Sequence, residues 1–352
     1  MRTRSFRAVA VPLALLTAGA LTLAGCGGGD AAADGTLTWA STGGQFQEDE
    51  ITALQQPFTE ATGTGFENVS PADPAQVRAM VESGRTIWDL ANMSWIYAGA
   101  YCGELYEELD HPDLDRDLFP EGTTGDCFVP TYRFANVFSY NAALYPDEQP
   151  SRVEDFFDTD RFPGKRIVFD YPKNGLLETA LVADGVAPDD LYPLDVERAL
   201  AKLDTIKDDL IFATSYGAVQ QMLVDEQASM VITVTARSIA TVDSGADLTP
   251  VWDFTTTDIG ALVIPKGTPR ADLAQDAIAF AVEPAQATAY AELTGTAPAR
   301  TDIDIESIEY DDVQREFNAF LPDRGRLVEQ DKQWWIENTD AVLERWTEWK
   351  IG

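Results

Sequence analysis

The chain has 352 residues, and 59 acidic against 25 basic side chains leave a formal charge of −34, a field that repels nucleic acid and favours solubility and tolerance of salt. With 45% hydrophobic residues, it is too apolar for a disordered acidic polymer. A single histidine excludes a two-histidine metal site and most histidine-based hydrolase constellations.

Arg2, Arg4 and Arg7 precede a mostly apolar run from Ala8 to Leu23, the layout of a secretory signal with small residues at its cleavage site. Leu23-Ala24-Gly25-Cys26 resembles the bacterial lipobox, which implies removal of residues 1–25 and lipidation of Cys26. Several acyl chains hold a protein on a bilayer where one would not. Residues 26–35, with Gly27-Gly28-Gly29, read as a tether; an uncleaved membrane anchor is the alternative. The remaining roughly 325 residues suffice for two lobes of ordinary size, working outside the cytoplasm on the outer face of the membrane. Beyond Cys26 only Cys102 and Cys127 remain. In an oxidising compartment they read as one disulfide closing a loop of about 25 residues, with two free buried thiols as the alternative.

Thr36 to Ser41 is a strand that enters Thr42-Gly43-Gly44-Gln45 before a helical pattern from Phe46 to Ala61. Glycines between strand and helix let the backbone approach a ligand, or simply make a tight turn. A strand near Gly65 to Glu67, a helix from Pro74 to Glu82 and a strand from Trp88 to Asn92 follow. This alternation predicts a largely parallel sheet with helices on both faces, and such sheets collect ligands at the carboxyl ends of their strands. Trp95 stands just past one such end, where it lines a pocket or fills core. His111 sits in an acidic proline-bearing loop with nothing to pair it with a nucleophile.

Val129 to Asn141 is a long strand able to pass from one lobe to another. The second half repeats the pattern, with a short capped helix at Ser151 to Asp158, a strand at Arg166 to Asp170, a turn at Tyr171-Pro172-Lys173-Asn174-Gly175 and a helix at Leu176 to Ala183. Further on come a helix at Val196 to Leu203, a strand at Ile211 to Ala213, a helix at Ala218 to Asp225 and a strand at Met230 to Val234. Three strand ends, near Tyr171, Ser215 and Thr235, thus present polar side chains, with Asn174, Tyr216 and Arg237 close behind. Trp252 to Thr257 reads as irregular, Ile259 to Pro265 as a returning strand, and Ala271 to Val282 as a helix. The tail after Gly295 reads as mostly helical, with Trp334, Trp335, Trp346 and Trp349 packing into a groove.

Pro163-Gly164-Lys165-Arg166, Leu191-Tyr192-Pro193-Leu194-Asp195, Gln220-Gln221-Met222-Leu223, Ile264-Pro265-Lys266-Gly267 and Trp334-Trp335-Ile336-Glu337-Asn338 resemble the polyamine-type extracellular solute-binding proteins of ABC importers. The resemblance implies an α/β type II periplasmic-binding-protein fold, two lobes joined by crossing strands around a ligand cleft. It implies lobe one from residues 36–137 and 255–300, lobe two from 138–254, and C-terminal helices of 301–352 packing on lobe two. It also implies a monomer that delivers a small-molecule solute unchanged to a membrane permease, with no catalytic residue, cofactor or metal; Cys102 and Cys127 fall where relatives carry a pair.

Polyamine-binding relatives meet ammonium groups with carboxylates and clamp methylenes with aromatics. The segment Tyr171 to Gly175 lacks the acids expected there, Gly260 stands in place of an aspartate, and Val234-Thr235-Ala236-Arg237 keeps only the arginine of the corresponding motif. The expected ligand is therefore a small amine-bearing or zwitterionic solute. Arg237 and Thr42 to Gly44 would meet its acidic end, Asp258 or Asp253 its amine, and Tyr216 and Trp95 its apolar part; an internal salt bridge is the other reading of Arg237. A lipid-anchored secreted hydrolase with paired carboxylates and a surface sensor on the same fold are the alternatives.

Overall fold

The computed structural model describes residues 35–322 and 324–352; the expected leader, Cys26 and the expected tether through residue 34 lie outside them. β1 (Thr36–Ala40) leads into α1 (Gly44–Glu50), which continues through a π-helical turn at Ile51–Gln55 into α2 (Gln56–Thr62). β2 (Gly65–Val69), α3 (Pro74–Glu82), β3 (Leu90–Ser94), α4 (Trp95–Ala100) and the twelve-residue β4 (Val129–Tyr140) follow. α3 starts where expected because Asp73 accepts a hydrogen bond from the Ala75 amide at 2.8 Å and Pro74 occupies the first turn.

The second half runs β5 (Arg166–Phe169), α5 (Leu176–Ala183), α6 (Val196–Asp204), β6 (Leu210–Ala213), α7 (Tyr216–Val224), β7 (Met230–Val234), α8 (Thr235–Asp243) and the fifteen-residue β8 (Thr249–Val263). The chain closes with α9 (Ala271–Ala281), α10 (Pro284–Thr294), β9 (Ala297–Pro298), α11 (Asp312–Phe317), β10 (Arg326–Glu329) and α12 (Lys332–Ile351).

Three departures from the sequence pattern have physical causes. Trp252 to Thr257 is not irregular but the middle of β8: Thr255 and Thr256 are buried there, and β-branched threonines suit a strand however polar they look. Thr235 to Arg237, expected as the end of a strand ahead of a helix, is already the first turn of α8. The tail is not uniformly helical, because Arg326–Glu329 adds a parallel strand beside Phe254–Thr257 of β8. α10, unassigned in the pattern above, is bounded by Pro284 in its first turn and Gly295 at its left-handed end.

The strands lie in the order β2-β1-β3-β8-β4-β7-β5-β6. β1 pairs in parallel with β2 and β3, and β5 in parallel with β6 and β7. Between these parallel halves run β4 and β8, antiparallel to each other. β8 joins β3 through Gly260–Val263, and β4 joins β7 through Asn136–Tyr140, so both long strands serve both halves.

Side chains alternate across a sheet, and here the two faces are packed differently. One face carries a continuous core through both halves, including Met93, Phe138, Phe156, Val168 and Ile232. The other carries two separate cores, one around Leu37, Trp39, Leu90 and Leu262, the other around Val137, Ile167, Val231 and Val219. α12 covers the continuous face and reaches both halves. Trp335 Nε1 donates to Glu178 of α5 at 2.9 Å and Arg345 pairs with Glu197 of α6, while Tyr101, just past α4, donates to Asp340 at 3.2 Å. Among the described residues no helix is long and apolar enough to cross a membrane.

A disulfide joins Cys102, just past α4, to Cys127, just ahead of β4, across 25 residues of sequence. Replacing both cysteines by alanine should lower unfolding stability by about 3 kcal/mol in urea titrations, because the unfolded chain regains the freedom of that loop. An unchanged midpoint would contradict this role.

Candidate functional site

The gap between the two separate cores is a cleft of about 870 Å³, within the range of small-ligand sites. From the first half it takes Thr42, Gly43 and Gly44, the link between β1 and α1. Gly43 and Gly44 have φ of 78° and 65°, a left-handed path that side-chain-bearing residues rarely take, and it turns the chain from strand to helix in three residues. The second half contributes Ser215 and Tyr216, where β6 passes into α7, and Arg237 in the first turn of α8. Ser215 is committed to capping α7, accepting from the Ala218 amide at 3.2 Å.

Arg237 is the centre of the arrangement. Its Nη2 donates to Thr42 Oγ1 at 3.0 Å across the cleft, and its guanidinium carbon lies 4.6 Å from the centroid of Tyr216 and 5.3 Å from that of Phe46. Tyr216 is backed in turn by Phe169, stacked at 4.7 Å and 27°. Among the described residues no carboxylate forms an ion pair with Arg237, so the internal salt bridge is not formed. The two rings hold the guanidinium by cation-π attraction and leave its remaining donors for another acceptor. Below it the cleft narrows into an apolar recess of about 60 Å³, lined by Phe46, Tyr132, Phe134 and Val234.

Three acids also line the cleft: Asp49, Asp243 and Asp311. Burial raises the Asp49 and Asp243 carboxyls above their usual range, Asp243 helped by the charge of Asp311. Behind the wall, Glu50 is fully buried and accepts from Asn92 Nδ2; burial pushes it up to about 7 against hydrogen bonds and the Arg237 charge.

The remaining expected residues lie elsewhere. Trp95 is core, 1% exposed, and its indole donates to Asp258. Asp258 is buried on β8, where it also accepts from the Ile259 amide at 2.7 Å. Asp253 is exposed and accepts from the Val153 amide at 3.2 Å, away from the cleft. Thr235 is buried at the start of α8; Asn174 is buried behind Tyr216, and Tyr171 packs against Tyr97. Gly260 cannot carry the aspartate of the resemblance, since a Cβ there would sit 2.0 Å from Tyr132 Cζ. Phe46, Phe169, Asp49, Asp243 and Asp311 were not anticipated.

The model of the bacterial extracellular solute-binding proteins matches residues 53–315. The chain belongs to this family. A gamma-aminobutyric acid-binding protein of Pseudomonas aeruginosa is 29% identical over 339 residues, covering 89% of this chain and 90% of that one. A solved GABA receptor structure is 31% identical with a TM-score of 0.77, covering 90% of this chain and 97% of the other. A periplasmic binding protein of A. tumefaciens R10 in complex with agropinic acid is 28% identical with a TM-score of 0.80, covering 90% and 99%. The fold is thus that of periplasmic binding proteins. The relatives are binding proteins and not enzymes, which removes the hydrolase alternative. This solute-binding protein works outside the cytoplasm, taking a small molecule to an ABC permease.

Glu50 makes stability depend on pH. A carboxyl whose pKa rises from 4.5 unfolded to about 7 folded holds its proton more tightly in the native state. Its contribution is full below pH 4.5 and is lost as pH rises through 7. Glu50→Gln should match the parent near pH 4.5 and exceed its unfolding stability by about 2–4 kcal/mol at pH 8. Equal urea midpoints for the two proteins at pH 8 would contradict the assignment.

Proposed function

We propose that the protein captures a small zwitterionic solute, an ω-amino acid or amino-acid conjugate, and presents it unchanged to its permease. The observation carrying this reading is Arg237, a cleft cation held by two aromatic rings and a threonine hydroxyl with no carboxylate of its own. A ligand carboxylate would take its free donors in a charge-assisted, two-pronged contact, with Thr42 beside it. The ligand's amine would meet Asp49 or Asp243, and its carbon chain Phe46 and Tyr216. Three acids against one arginine disfavour a simple anion, and the arginine disfavours a simple polyamine. The relatives that bind gamma-aminobutyric acid and agropinic acid support a ligand bearing a carboxylate.

Residues on both halves would touch the ligand, so binding favours their approach by its differential affinity, bending the chain at β4 and β8 as two lobes. The lipobox-like Leu23 to Cys26 supports anchoring through Cys26.

Calorimetry against ω-amino acids, opine-like conjugates and polyamines tests the ligand reading. Arg237→Ala should weaken the best carboxylate ligand by roughly 10- to 100-fold, and Arg237→Lys by nearly as much, since a lysine cannot reproduce the planar fork. Unchanged affinity in Arg237→Ala, or tightest binding of a polyamine, would overturn it. For the anchor, Cys26→Ser should abolish incorporation of labelled fatty acid and shift the protein from the membrane to the soluble fraction; a variant that still carries label would refute lipidation at Cys26.

A further inference from the structure

Lys173 lies in the turn between β5 and α5 and is 8% exposed, an unusual place for an ammonium group. Its Nζ sits 4.4 Å from the centroid of Tyr97 and 4.7 Å from that of Tyr171, whose centroids are 6.1 Å apart. Among the described residues no hydrogen bond or ion pair satisfies Nζ. The opposite charge acting on it is Asp258, buried on β8 and held by the Trp95 indole and the Ile259 amide. Burial pushes Lys173 down and Asp258 up from their ordinary values, and each charge opposes that shift in the other. Lys173 itself is anchored through its backbone, since Gln330 Nε2 donates to its carbonyl at 2.8 Å while also reaching Glu178.

Two tyrosine faces and a carboxylate are the groups that recognise a free alkylammonium, by cation-π attraction and charge. Here a tethered one already occupies the place. We propose that Lys173 is the resident cation of an alkylammonium cage built from Tyr97, Tyr171 and Asp258, and that by filling this cage it pins the two halves of the protein together. Asp258 is then neutralised from within. Tyr97 comes from α4 in the first half and Lys173 from the turn between β5 and α5 in the second, so the contact joins the halves.

Lys173→Ala removes a propylammonium-sized group, so the test is its return as a free molecule. Melting curves of the parent and of Lys173→Ala are recorded with increasing n-propylammonium chloride, with 1-propanol as the neutral counterpart. The variant should melt at higher temperature as the amine, but not the alcohol, is added, while the parent does not respond. Adding Asp258→Asn to the variant should abolish the response. No amine-specific rise in Lys173→Ala, or an equal rise in the parent, would overturn the proposal. Should Lys173→Ala not fold, Lys173→Met and Asp258→Asn, singly and together, give a second reading by urea unfolding. The double variant should lose less stability than the sum of the singles, because each single leaves a buried charge without its partner. Strict additivity would contradict the cage. Both readouts are independent of ligand binding at Arg237, so their failure is distinguishable from failure of the zwitterion reading.

Discussion

A guanidinium lying over two aromatic rings, with no ion pair to a carboxylate among the described residues, is the constraint around which the cleft makes sense. Phe46 and Tyr216 hold Arg237 from opposite halves of the molecule, and Thr42 takes one of its donors. Charge at large sharpens the point. A chain of −34 repels a simple anion at a distance, so under the proposed reading the arginine would select a carboxylate only on a molecule that also brings a positive charge. Asp49, Asp243 and Asp311 supply the other pole.

The architecture explains why both halves can reach one solute. On the face covered by α12 the hydrophobic core is continuous, so parting the halves there would expose apolar surface. On the opposite face the cores are separate and polar side chains meet between them. β4 and β8 thread both halves and are the covalent and hydrogen-bonded link about which these can approach. A ligand in the gap adds contacts that the empty protein lacks.

Much of this was legible in the sequence, and what was missed had physical reasons. The strand, glycine pair and helix at Thr36 to Phe46 announced a backbone turn, and Arg237 stood out through the family resemblance, as the arginine kept where the neighbouring aromatic and amide are replaced. Phe46 and Phe169 were invisible as site residues, because an aromatic in an amphipathic helix or a buried strand has the same signature as core. Among 59 acids, position along the chain does not separate a cleft acid from a surface one. Asp49 lines the cleft, Asp253 serves a backbone amide and Asp258 is bound within the protein, and tertiary structure alone distinguishes them. The threonines of β8 hid a strand for a similar reason: polarity suggested loop, whereas β-branching and burial between strands decided otherwise.

The most direct measurement is a crystal structure of the protein with the solute that most raises its melting temperature. The account predicts the ligand's carboxylate on Arg237 and Thr42, its amine beside Asp49 or Asp243, and its chain between Phe46 and Tyr216. A ligand seated in the cleft with no oxygen facing Arg237, or one bound elsewhere while the arginine keeps its present partners, would contradict it.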